Sequence, residues 1–139
     1  MAEKSSDIQR LLQTRDCVKC NIKGANLQQA YLEAANLRDA KLRDANLEQA
    51  NLMGAYLQNA NLYKTNLRYA KLDGADLRGA DLWGAYLQNS KIDRETILDK
   101  KWSLVWHLVN KPAQKSDFSK VSLPEVNLSN ANLRKLNLE

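Results

Sequence analysis

With 139 residues, 44% of them hydrophobic but only one a phenylalanine, the chain suffices for one domain and lacks the bulky residues that fill a layered core. Its 21 basic and 16 acidic residues leave a formal charge of +5 that is evenly spread, which excludes a polybasic tail for nucleic acid or lipid. No run approaches the roughly 18 apolar residues of a membrane span, and the first nineteen residues lack the apolar stretch of a signal peptide, so a soluble cytoplasmic protein is expected.

Residues 1–19 read as a helical cap. Ser6 followed by Gln9 fits a capping box, and Ile8, Leu11 and Leu12 follow at helical spacing. Residues 20–94 then form fifteen unbroken pentads. Ile22, Leu27, Leu32 and every fifth residue through Leu87 and Ile92 are aliphatic, and the residue two before each is Ala, Cys, Thr or Ser. Five residues advance a helix by about 500°, which leaves no apolar face. On a continuous strand an odd period throws alternate leucines onto opposite faces. The chain must therefore turn once per pentad, with the small and the aliphatic residue on the same side, and such repetition means a solenoid.

This A-(N/D)-L-x-x register resembles the pentapeptide-repeat family, and in particular its small cyanobacterial members, over residues 20–94 and again over about 116–138. The resemblance implies an all-β solenoid: a right-handed quadrilateral β-helix of four pentads per coil, with the Ala and Leu classes lining its bore.

Glu95-Thr96-Ile97 continues the arithmetic at Ile97 but puts Glu95 in the small inward slot. A buried, unpaired carboxylate is costly, so the coil is expected to stop there. Residues 95–115 read as an inserted helix, with Asp99 as N-cap, Trp102, Val105, Trp106 and Val109 on one face, and Pro112 beyond its end. Trp106 is expected to be mostly buried and Trp102 partly exposed. Five further pentads over 116–139, centred on Phe118, Leu123, Leu128, Leu133 and Leu138, are expected to resume the same coil with the helix displaced sideways. The whole, 1–139, is read as a single domain.

Little of this pattern carries chemistry. His107 has no identified carboxylate or thiol partner, and there is no Gly-rich phosphate loop or nucleophile motif, so no enzyme and no cofactor are expected. The Asn and Asp residues before the leucines suit local backbone bonds at turns. Cys17 and Cys20 sit where the cap meets the first coil. They are either core filler, with Cys20 in the small slot and Cys17 five before Ile22, or a local disulfide of the kind the family resemblance suggests. A metal site lacks its second ligand pair, and the strand-helix setting of an exchange-active redox pair is absent.

Folding the repeat onto four sides stacks residues twenty apart, so one outward column reads Lys23, Arg43, Tyr63, Trp83, flanked by Lys41 and Lys64. Arg43 over Tyr63 is a candidate cation-π contact. With Trp102 on the helix edge, this column is the candidate surface for an acidic or aromatic-rich partner. The expected function is a non-catalytic structural or protein-binding scaffold, a monomer or weak dimer with an unidentified protein partner and no membrane. A redox-responsive structural protein using Cys17 and Cys20 is the alternative, and a nucleic-acid binder comes third. Some pentapeptide-repeat proteins mimic DNA toward topoisomerases, but that needs an acidic surface, and +5 opposes it.

Overall fold

The computed structural model describes residues 2–111 and 127; the pentads expected at 116–139 otherwise lie outside the described residues. Two helices, α1 (Ala2–Thr14) and α2 (Lys100–Asn110), flank the repeat. Between them no extended strand forms among the described residues. Single parallel bridges instead join every fifth residue to the one twenty further on, from Asp16–Asn36 and Asn21–Lys41 to Lys71–Lys91. Four pentads therefore complete each coil, and every side is one bridge long because the chain turns before a second can form.

The turn is built the same way each time. Ala30 N–H donates to Leu27 O at 3.1 Å, and Gln29 before it takes φ of +60°. That slot holds positive φ in every pentad from Lys19 to Asn89. A positive φ at the third turn residue is the mark of type II geometry, which favours Gly, Asn and Asp. All five glycines of the chain occupy this slot, and at Gly79 a side chain would also run into Asn59. Asparagine before the leucine fastens the corner at several turns: Asn26, Asn46, Asn51, Asn61 and Asn66 each accept through Oδ1 the N–H two residues on.

Inside the coils the central residues from Ile22 to Leu87 are at most 4% exposed. Each buried aliphatic side chain contributes roughly 1.5 to 3 kcal/mol. Thr65 takes the small slot without penalty because its hydroxyl donates to Leu42 O at 2.8 Å.

Both ends of the repeat differ from the sequence reading. The first bridge is at Asp16, and the fully buried Cys17 fills a leucine slot, so the coil begins one pentad before Cys20. Helix α1 starts at Ala2, which puts Ser6 and Gln9 within it rather than at a capping box; Ala, Glu and Lys upstream are good helix formers. Its Leu11 is buried on the first coil, and Asp7 Oδ2 accepts the otherwise open Asn21 N–H at 2.8 Å.

The coil does not stop at Glu95. The chain admits one extra residue, Asp93, and the next bridge joins Asp76 to Ile97. This slip puts Glu95 outside, against Arg94, and gives the small slot to Thr96, whose hydroxyl donates to Leu72 O at 2.9 Å. Leu98 becomes the aliphatic residue that packs on the core. Asp93 holds the widened corner by accepting from the N–H groups of Gly74, Glu95 and Thr96 at 2.9 to 3.0 Å.

Nor is α2 displaced sideways; it lies over the end of the bore. Trp102 Nε1 donates to Ala80 O at 3.1 Å, Trp106 Nε1 to the inward Ser90 hydroxyl at 3.0 Å, and Asn110 Nδ2 to Leu87 O at 2.9 Å. Asp99 stands at the N-cap, but its carboxylate accepts Gly79 N–H from the coil rather than capping the helix. The helix lies across the end because the last leucines and upward carbonyls both need covering, and indoles supply apolar area and a donor together.

Hydrogen bonds from Gly74 N–H and from Thr96 and Glu95 hold the Asp93 carboxyl below its ordinary value of 3.8, as the Arg78 guanidinium does for Asp76. A carboxyl lowered in the fold contributes stability that is full above its unfolded pKa and is lost as pH falls through the folded one. Melting temperature should be flat down to about pH 5 and then fall. Asp93→Asn should melt lower at neutral pH and show a shallower acid limb, checked by circular dichroism melts across pH.

Candidate partner surface

Residues 21–24, 41–44, 61–64 and 81–84 stack as one side of the coils. Here the column expected from the repeat is assembled. Lys23 and Arg43 are exposed, while Tyr63 and Trp83 are half-buried. The Arg43 guanidinium lies 4.6 Å from the Tyr63 ring centre and Lys64 Nζ 5.3 Å from it. Arg43 Nε also meets Asp44 at 3.3 Å, a solvent-exposed pair of little energetic weight.

The upper end of the column is remodelled by α2. Trp83 packs edge-to-face on Trp102, ring centres 5.1 Å apart, and Lys101 Nζ lies 4.2 Å from the first ring and 4.3 Å from the second. Trp102 is only 2% exposed, less than Trp106 at 7%. The expectation of a partly exposed Trp102 is therefore corrected, and Trp102 leaves the candidate surface. Its indole fills the end of the bore, a role invisible while the helix was placed only by its periodicity.

Contacts between residues eighteen apart were missed by counting in twenties. The residue after a leucine leans toward the residue before the leucine one coil above. Arg38 thus covers Tyr56 at 4.4 Å and Arg68 covers Tyr86 at 4.2 Å, while Gln58 Nε2 donates to Asp76 at 2.6 Å. In the sequence the signal of these contacts is the i, i+18 pairing of Arg38 with Tyr56 and Arg68 with Tyr86. These pairs engage Arg38 and Arg68 on other sides, and Asp76 engages Arg78 at 2.6 Å. The side of Lys23 and Arg43 also bears Lys41 and Lys64 against Asp44 and Asp81, whereas the other three sides are balanced or slightly acidic.

Cys17 and Cys20 form a disulfide at the junction with α1, both buried in the first coil. Arg10 Nη2 lies 2.7 Å from Cys20 Sγ, and Asp7, three residues before, pairs with Arg10 at 3.8 Å. His107 is exposed, its Nδ1 2.7 Å from Ser103 O within α2. Among the described residues, no group of three or more His, Cys, Asp or Glu is placed to hold a metal, and no helix is long and apolar enough to cross a membrane.

The sequence profile of pentapeptide repeats matches in eight copies over residues 20–59, 55–93 and 114–139. The chain belongs to the pentapeptide-repeat family. Comparison with curated proteins finds no significant relative. Among solved structures, the pentapeptide-repeat protein Rfr23 of the cyanobacterium Cyanothece 51142 is 28% identical, with 68% of this chain and 99% of that one covered and a TM-score of 0.48. Another, alr5209 of Nostoc PCC 7120, is 35% identical over 66% and 81% of the two chains, with a TM-score of 0.44. HetL of Nostoc sp. PCC 7120, described as involved in heterocyst differentiation regulation, is 36% identical over 60% and 40%, with a TM-score of 0.35.

The burial of both helix indoles in this pentapeptide-repeat protein has a direct optical consequence. In variants retaining one tryptophan each, iodide should quench Trp102 and Trp106 weakly and Trp83 more strongly. Fast quenching of Trp102 contradicts the end-cap placement.

Proposed function

We propose that this pentapeptide-repeat protein is a non-catalytic scaffold, a right-handed quadrilateral β-helix that binds a protein partner through the side bearing Lys23, Arg43, Tyr63 and Trp83. The observation that carries this reading is the Arg43–Tyr63 stack continued by the half-buried Trp83, which Lys101 and the buried Trp102 hold in place. Arg, Tyr and Trp are the residues that dominate binding energy at interfaces, and here their rings are already held in place by neighbours. No cofactor enters this role, and the protein acts as a monomer or weak dimer. Asp44 and Asp81 on the same side argue against nucleic acid.

A redox-responsive structural role is the second reading, favoured by the Arg10 guanidinium beside Cys20, which would stabilise a thiolate there. The disulfide also favours an oxidising compartment over the cytoplasm suggested by the sequence.

Recovery of a partner from an extract of the source organism on immobilised protein tests the scaffold reading. An Arg43→Ala, Tyr63→Ala variant should lose about 2 kcal/mol or more of binding, roughly 30-fold, with Trp83 left intact because it packs on Trp102. Undiminished recovery removes this side. For the thiols, the loop closed is so short that Cys17→Ser, Cys20→Ser should cost only about 2 kcal/mol and leave the circular dichroism spectrum unchanged. Reversible change of the pair on thiol titration, read by alkylation, is the result the redox reading requires.

A further inference from the structure

We propose that the occupant of this side is an extended acidic segment of the partner, with carboxylates against Lys23, Lys41 and Arg43 and an aromatic side chain against Tyr63 and Trp83. This rests on the reading that the side is the partner surface. The side is graded along the axis: its cations gather toward α1 and its half-buried rings toward α2. Lys23 and Lys41 are exposed and make no ion pair among the described residues. Elsewhere Arg78 is held by Asp76 through both Nε and Nη2, at 3.0 and 2.6 Å, and the exposed Lys71 and Lys91 share their side with Asp73 and Asp93.

Spacing sets the motif. Adjacent coils are about 4.8 Å apart, so Lys23 to Trp83, three coils, spans roughly 14 Å, which about four residues of extended chain cover. An extended peptide with an acidic pair and, four positions on, an aromatic residue therefore meets both ends of the grade at once. A nucleic-acid strand matches less well, because Asp44 and Asp81 interrupt the cations where phosphates recur. Electrostatic attraction sets orientation, while the half-buried rings of Tyr63 and Trp83 supply short-range contact.

The test is fluorescence anisotropy of a labelled peptide bearing a glutamate pair and a tryptophan about four positions on, titrated with the full chain. Saturable binding is expected, weakened about tenfold or more by high salt and likewise by Lys23→Ala, Arg43→Ala. Arg68→Ala, on another side, should leave it unchanged, with circular dichroism confirming that each variant is folded. The proposal is overturned if the peptide does not bind, if its glutamine counterpart binds equally well, or if a single-stranded oligothymidylate of equal charge binds more tightly. The partner-surface reading fails separately, if Lys23→Ala, Arg43→Ala leaves partner recovery intact.

Discussion

One corner every five residues is the constraint from which the rest of this molecule follows. The leucine and the residue two before it point inward, and the chain then reverses through a residue held at positive φ, such as Gln29 or Gly79. Without that corner an odd period scatters its leucines; with it they form one buried column from Ile22 to Leu87. The same corner limits each side to a single bridge, so cohesion comes from repetition: every coil gives its backbone groups to the coil twenty residues away. Stability is then a sum of neighbouring coil contacts rather than the property of one centre.

A column so built has two costly ends, where leucines and unpaired backbone groups meet water. The two helices answer this with the same chemistry. From α1 come Leu11 for the bore and the Asp7 carboxylate for Asn21 N–H. From α2 come Trp102, Val105 and Trp106 for the bore, with indole and amide N–H groups for the carbonyls of Ala80 and Leu87. The widened corner at Asp93 makes the second closure feasible. It lets the chain place Thr96 and Leu98 inward, and it sends Glu95 to solvent before α2 begins.

With the interior committed to packing, recognition falls to the outward positions, where coil geometry decides which side chains meet. Neighbours twenty apart make the Arg43–Tyr63 stack, and neighbours eighteen apart make the Arg38–Tyr56 and Arg68–Tyr86 pairs. Both are exposed or half-exposed cation-π contacts of about 0.5 to 1 kcal/mol each. Their importance is less in stability than in which cations they leave free. Lys23 and Lys41 stay unpaired among the described residues, while Arg78 is held by Asp76.

The sequence by itself determined the pentad register, the inward residues, the need to close the first coil, and the Lys23–Arg43–Tyr63–Trp83 column, because strict periodicity converts directly into stacking. It determined too that Asn and Asp before the leucines bond local backbone, since a short side chain there reaches only the turn. Only the tertiary structure decided what happens where periodicity ends. The slip at Asp93 depends on a carboxylate finding the Gly74 N–H in the coil below, a contact that no local pattern encodes. At Cys17 and Cys20 the two readings, core filler and disulfide, hold together: both residues fill the first coil, and the turn there brings their Cα atoms to 5.2 Å, within disulfide reach. Trp102 and Trp106 share a helical face, which told only that one side of α2 is apolar. That both indoles are buried depends on the open carbonyls and leucines of the last coil, to which the helix must turn that face.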